Sequence, residues 1–320
     1  MVYIVSALLG AAGAWWVSRY AHVLGLMDKP CERSSHDRPT PKGGGIGVLL
    51  AFVVACLWFG GVSPVFWLSA TVLSLLSLFG DRIELNTKLR LVVQFFAAGL
   101  FLAVMNIPQL YGIFSFIVFP FFAVYVVGTA NFYNFMDGIN GIAGITGGVG
   151  FLLLGGYGVV TGQDTRLVML AFVMASACAG FLPFNIPKAR VFMGDVGSVL
   201  LGFMFACLVV AFTGTVVEFV ILASFLFPFY LDELVSMVER LRCKQSLTKP
   251  HRSHLYQVLA NEVGIAHWKV SVGYGMLQFV VGLSVWWSLS LNLLLGLVVL
   301  GVFAAGFVLV NNRVMKRYQQ

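Results

Sequence analysis

The 320-residue sequence predicts an all-α, polytopic integral membrane protein, and three observations carry that expectation. Apolar residues make up 59% of the chain and charged residues only 10%, whereas a soluble domain carries about 25% charge; mean hydropathy is +0.92. The apolar residues gather into runs close to the length of about 20 residues that crosses a bilayer. About eleven transmembrane helices follow, at 2–18, 44–60, 64–79, 91–106, 111–130, 142–160, 167–184, 196–213, 216–238, 269–288 and 291–310. Finally, threading the chain with its N-terminus outside puts every Lys and Arg except Arg166 on one side. Loops rich in Lys and Arg stay cytoplasmic, which places the C-terminus in the cytoplasm as well. The net charge of +7 is thus a product of topology, and no nucleic-acid partner is expected.

The first span has neither a basic leader nor a small-residue cleavage site before it, so it reads as a retained anchor. The five cysteines show no paired spacing, which argues against disulfides and a zinc site. With no internal repeat and no hydrophilic segment long enough to fold alone, residues 1–320 read as a single transmembrane domain. Its polar residues gather in cytoplasmic loops at 28–45, 80–90, 131–141, 185–198 and 239–268.

The loop after the first span ends in Pro39-Thr-Pro-Lys-Gly-Gly-Gly45. Prolines keep it extended. Lys42 and the bare N–H groups of the glycines that follow offer a place for phosphate, or else a flexible basic loop beside anionic lipid. The next loop begins with Asp81 directly after an apolar span, where ionisable groups are costly and often functional. Arg90 opens the following span, and the plainer reading pairs these two charges with each other. Asn131 to Gly141 reads Asn-Phe-Tyr-Asn-Phe-Met-Asp-Gly-Ile-Asn-Gly. If the helix continues through it, Asn131, Asn134 and Asp137 share one face, suited to a divalent cation or a phosphate. A polar helix end with a glycine stop is the plain alternative.

Asp195 stands between Gly194 and Gly197 at the start of the eighth span, as an N-cap or as a carboxylate that a ligand can approach. The largest loop carries His251, Arg252 and His254, a set better suited to a polyanion than to zinc. Three carboxylates, Asp81, Asp137 and Asp195, therefore lie among Lys, Arg and His on one rim. Magnesium between them and a diphosphate would neutralise both acidic sets. A transporter is the competing class, but transporters hold substrate near the bilayer midplane, and the proposed mid-spans carry no charge.

Taken in order, residues 39–45, 81–90, 131–141, 192–198 and 249–257 resemble the polyprenyl-phosphate N-acetylhexosamine-1-phosphate transferases, the membrane family of MraY and WecA type. The His-Arg-Ser-His-Leu-Tyr-Gln run resembles the branch that initiates O-antigen and related lipopolysaccharide glycans. The resemblance implies a glycosyl-1-phosphate transferase of the bacterial inner membrane. Such an enzyme moves N-acetylhexosamine-1-phosphate from a UDP-sugar to undecaprenyl phosphate and releases UMP. The sugar expected from that branch is a 6-deoxy-N-acetylhexosamine, with N-acetylglucosamine as the alternative. By the same resemblance Mg²⁺, or Mn²⁺ in its place, is held by Asp195 with Asn134 or Asp137. Asp81 and His254 join Asp137 and Asp195 as catalytic candidates. Asn140 matches a nucleobase contact, Arg90 a phosphate contact, and the loop with His251, Arg252 and His254 one that closes over the nucleotide sugar. Lys42, Asn131, Asn134 and Gly194 complete the substrate-binding set. The implied partners are the UDP-sugar, undecaprenyl phosphate and membrane lipid, and a homodimer is compatible with the family. One position departs from it: Gly80-Asp81 stands where two adjacent aspartates are usual, so a mechanism that needs both acids is not expected.

Overall fold

The computed structural model describes residues 1–30, 35–83, 85–106, 112–244 and 253–318. These form thirteen α-helices and one hairpin of two two-residue strands. In chain order they are α1 (Val2–Leu24), β1 (Met27–Asp28), β2 (Thr40–Pro41), α2 (Ile46–Phe59), α3 (Pro64–Arg82), α4 (Thr87–Val104) and α5 (Ser115–Phe135). There follow α6 (Ile142–Thr161), α7 (Thr165–Phe181), α8 (Asp195–Phe212), α9 (Val216–Ser224), α10 (Phe227–Arg242), α11 (Leu255–Asn261), α12 (His267–Leu291) and α13 (Leu293–Tyr318). Among the described residues nine helices are long and apolar enough to cross a membrane. The protein is a multi-pass, all-α membrane protein.

Each of the eleven predicted spans falls on a helix or a helix pair, with two differences. The span expected at 44–60 is a 14-residue helix, α2, shorter than a full crossing needs. The span expected at 216–238 is broken: α9 and α10 meet at 88°. Pro228 has no N–H to give the preceding turn, so α9 stops short of it. Gln278 of α12 donates to the Phe225 carbonyl at the break (2.6 Å) and to the Thr146 carbonyl of α6 (2.9 Å). A buried side chain thus satisfies a backbone group that the break frees, as non-helical backbone at membrane depth requires.

Helix α8 is the axis of the bundle. It is buried along almost its whole length, with α2, α3, α5, α6, α7 and α9 packed around it. Close approach between helices relies on small residues. A methyl group at Gly180 of α7 would overlap the Ala7 carbonyl of α1, and one at Gly10 of α1 would overlap Ala177 of α7. Helix ends carry local caps: Asp164 accepts from the Arg166 and Leu167 N–H groups at the start of α7, and Asn86 accepts from Lys88 at the start of α4. In contrast α13 is the least enclosed long helix and turns most of its apolar surface outward. The helix ends that hold the predicted polar loops meet at one rim.

Candidate active site

The rim is assembled by backbone stitching between segments far apart in sequence. The hairpin pairs Met27 with Pro41 and Asp28 with Thr40, which closes the first loop on itself. Lys42 continues it by bridging to Phe192 in parallel. Phe192 N–H donates to the Pro41 carbonyl (2.8 Å), while Gly44 and Gly45 N–H groups donate to Phe192 and Met193 (both 2.9 Å). The N–H groups expected to form a phosphate nest at Gly44 and Gly45 are therefore engaged in joining two loops. Glycine is required at Gly194: its φ of +72° is left-handed, and a Cβ would lie 2.6 Å from the Gly43 nitrogen.

That stitching brings Asp81, Lys42, Asp195 and Arg90 together, in a pairing different from the plain sequence reading. Asp81 pairs with Lys42 (3.4 Å) and Arg90 pairs with Asp195 (2.6 Å), so the two charges of the 80–90 loop do not pair with each other. The second Asp81 oxygen accepts the Asp195 N–H at 2.9 Å. A carboxylate of α3 thus caps α8, and the Asp195 side chain is released from capping its own helix. The Lys42 and Arg90 side chains keep 23% and 29% of their surface in the open, enough to meet a ligand while held by their acids.

The Asn131–Gly141 stretch is placed differently from a continuous helix. α5 ends at Phe135, so Asn131 and Asn134 lie on it while Asp137 sits in the turn that follows. Ser198 of α8 donates to the Asn134 carbonyl oxygen (2.5 Å), which puts Asn134 one turn along α8 from Asp195. Asn131 instead exchanges hydrogen bonds with Gln94, one turn beyond Arg90 on α4 (2.7 and 3.3 Å). Its amide orients α4 and does not join the carboxylates. Among the described residues no hydrogen bond or ion pair reaches the Asp137 carboxylate. Burial, then the nearby charges of Asp195 and Asp81, push its pKa up from 3.8 to about 7. Asn140 lies further round the rim: its N–H faces His267 Nδ1, its side chain donates to the Pro187 carbonyl (both 3.4 Å), and its own carbonyl accepts from Ser271 (2.8 Å).

Part of the chain matches glycosyl transferase family 4. The pattern of that family, described as "Glycosyl transferase family 4", matches residues 63–213, which run from the start of α3 to the end of α8. The matched segment contains Asp81, Arg90, Asn134, Asp137 and Asp195; Lys42 and His254 lie outside it. The chain is also 29% identical over 281 residues to the undecaprenyl-phosphate alpha-N-acetylglucosaminyl 1-phosphate transferase of Thermotoga maritima, covering 84% of each protein. It is 27% identical to the decaprenyl-phosphate N-acetylglucosaminephosphotransferase of Mycolicibacterium smegmatis, over 83% of this chain and 76% of that one. A Salmonella typhimurium enzyme named as the Thermotoga one is 29% identical over 74% of this chain and 69% of its own.

His254 differs from the open, anion-binding pose expected of the family's last loop. Only 2% of it is exposed. Its Nε2 lies 3.3 Å from Glu233, and its Nδ1 lies 3.1 Å from the Ser236 hydroxyl and 3.7 Å from Asp232. Burial alone would lower its pKa, but the Asp232 hydrogen bond and the charges of Asp232 and Glu233 outweigh that and leave it raised. His251 and Arg252 lie outside the described residues. Asp232 and Glu233 received no role from the sequence, although two acids inside an apolar stretch followed by a histidine loop are a readable signal.

The carboxylate set fits a hard divalent cation. Among the described residues no three acidic, histidine or cysteine side chains converge to form a ready-made cage. Magnesium does not need one, since it is commonly bound through one or two carboxylates plus substrate phosphates and water. The donors at hand are all oxygens, from Asp195, Asp137 and Asn134, and among the described residues no cation pairs with Asp137.

Proposed function

We propose that this protein transfers N-acetylhexosamine-1-phosphate from a UDP-sugar to a polyprenyl phosphate such as undecaprenyl phosphate and releases UMP. The observation that carries this reading is the rim itself. Three carboxylates and two partly exposed cations share the rim where apolar helices end, so a water-borne anionic donor and a membrane-borne anionic acceptor can meet. In support, the relatives from three bacteria are named for N-acetylglucosamine-1-phosphate transfer to undecaprenyl or decaprenyl phosphate.

On this reading the rim faces the cytoplasm of a bacterial inner membrane, and residues 1–320 form one membrane domain around it. Lys42 and Arg90 meet phosphate oxygens, with Asp81 holding Lys42 in place. An oxygen of the acceptor phosphate attacks the phosphorus attached to the sugar, and the bond from that phosphorus to the bridging oxygen breaks. UMP leaves with that oxygen. A phosphate monoester has a second pKa near 6, so it is largely deprotonated at neutral pH and needs no strong base. Mg²⁺ or Mn²⁺, when bound, would supply positive charge to the donor diphosphate, and Asp195, Asp137 and Asn134 would hold it. Asn140, beside His267 and Pro187, lies where a nucleobase could stack against the rim.

The names of the relatives make UDP-N-acetylglucosamine the first donor to test. A 6-deoxy-N-acetylhexosamine, and with it initiation of an O-antigen-like glycan, is a second reading that rests on the resemblance of the 251–257 loop. The deciding experiment incubates purified protein with polyprenyl phosphate, Mg²⁺ and a panel of UDP-N-acetylhexosamines. Donor-dependent formation of lipid diphosphate sugar with matching UMP release supports the proposal. No lipid product with any donor overturns it.

A further inference from the structure

We propose that Asp232 is a positioning residue for the Asn131–Gly141 stretch, acting through α11; the link to catalysis rests on the reading of that stretch as part of the site. Asp232 is completely buried in α10. One of its oxygens accepts the Leu255 N–H at 2.8 Å; the other accepts the Tyr256 N–H at 3.2 Å and the Tyr274 hydroxyl at 2.6 Å. Two backbone donors of the first turn of α11 are thereby satisfied by an acid from another helix, a capping arrangement in which the cap also fixes where the helix sits. His254, immediately before α11, lies over the same acid and stacks on the Tyr256 ring at 5.7 Å.

The far side of α11 bears directly on the site. The Tyr256 hydroxyl donates to the Phe135 carbonyl at 3.0 Å, at the last residue of α5. A side chain at Gly138 would collide with that hydroxyl, and would lie 3.2 Å from the Gln257 amide nitrogen. Tyr256 therefore spans the turn that carries Asp137, touching the backbone on both sides of it. The chain of contact runs from the Asp232 carboxylate through the Tyr256 N–H to its hydroxyl, and from there to Phe135 and Gly138. Gln257 adds a second observation. It is buried, its amide nitrogen lies beside Gly138, and among the described residues its carbonyl oxygen has no hydrogen-bond partner, so the same helix sets a second polar side chain against the Asp137 turn. An orphaned buried acceptor costs free energy unless something binds it, and moving α11 moves that acceptor and the Asp137 turn together.

The test is hydrogen exchange, read by mass spectrometry on full-length protein in detergent without divalent cation. Asp232→Ala and Tyr256→Phe should each speed exchange in residues 132–141 roughly five- to tenfold, the effect expected from losing one local hydrogen-bonded link. Exchange in α7, on the other side of the bundle, should stay unchanged. The double variant should be no faster than the faster single one, because both changes cut the same link. Asp232→Asn keeps an acceptor oxygen and should give a smaller effect; it also serves if the alanine variant does not fold. Unchanged exchange at 132–141 in Asp232→Asn and Asp232→Ala, or independent effects that multiply in the double variant, would overturn the proposal. Because exchange needs no substrate, it decides the positioning role even if the transferase assay fails.

Discussion

Replacing Asp137 by Asn tests the electrostatics of the rim most directly. Burial and the charges of Asp195 and Asp81 hold the Asp137 pKa near 7, against 3.8 for a free carboxyl. A carboxyl raised in the folded state gives its full contribution to stability below its unfolded pKa and loses it as pH climbs through the folded value. Here that window runs from about pH 4 to about pH 7. At about 1.4 kcal/mol per unit, the two units between pH 5 and 7 amount to at most about 3 kcal/mol. Partial solvent contact screens this to roughly 1–2 kcal/mol. Asp137→Asn has no charge to desolvate, so its advantage over wild type should grow by that amount between pH 5 and 8. In thermal unfolding in detergent without divalent cation, this is a widening of about 2–3 °C. Mg²⁺ should then raise the wild-type midpoint at pH 8 and leave Asp137→Asn nearly unmoved. A wild-type-to-variant gap that is the same at pH 5 and 8 would refute the reasoning.

The other expectations can be checked with the same purified protein. Asp195→Asn should fold, because Asp81 rather than Asp195 caps α8, yet lose nearly all transfer; retained activity at ordinary Mg²⁺ would leave Asp195 without a functional role. Asp81→Asn should slow turnover by about 10²-fold, the cost of misplacing a reacting group that Lys42 holds, while nucleotide-sugar binding by calorimetry stays near wild type. His254→Ala leaves Asp232 and Glu233 short of their buried partner and should cost about 3–5 kcal/mol of stability, whereas His267→Ala should cost far less; equal midpoints would contradict the buried pairing. Single cysteines placed at Asp164 and Ser35 should label from opposite sides of a sealed vesicle, and same-side labelling would break the proposed topology.

What the sequence made legible is what composition and periodicity control. Apolar runs located the nine described helices that are long and apolar enough to cross a membrane, and the basic loops picked out the rim, because hydrocarbon excludes charge wherever a partner is absent. Pairings were not legible. Asp81 with Lys42 and Arg90 with Asp195 join residues 39 and 105 positions apart, and nothing local selects them over the nearer Asp81–Arg90 pair. The decisive contacts are backbone bonds between the 41–45 and 192–193 segments, which leave no side-chain pattern. The break before α10 had one visible signal, Pro228, but the residues around it are apolar, and its cost is met by Gln278 from another helix. His254 was read from its neighbours in sequence, Arg252 and His251, and so as part of a cationic loop. In space its neighbours are Asp232 and Glu233, and that changes its local field from positive to negative.

The departure at Gly80 can now be weighed against geometry. A covalent route would need Asp81 to attack phosphorus with an oxygen free of strong partners. Both Asp81 oxygens are engaged, one by the Lys42 ammonium and one by the Asp195 N–H. Freeing the second would uncap α8 beside Asp195, disturbing the residue proposed to face the donor. The side chain is also 94% enclosed (6% exposed), which leaves little room for a phosphoryl group to be carried on it. Among the described residues a Cβ at Gly80 would meet only the Leu85 side chain, at 3.5 Å, so the backbone there tolerates a larger residue. Glycine at this position is therefore not forced by packing, and a second acid is absent without steric cause. On the proposed reading that absence is tolerable only if the acceptor phosphate is itself the nucleophile. Asp81 then serves by fixing Lys42 and the start of α8, two jobs that one carboxylate can do and that need no neighbouring aspartate.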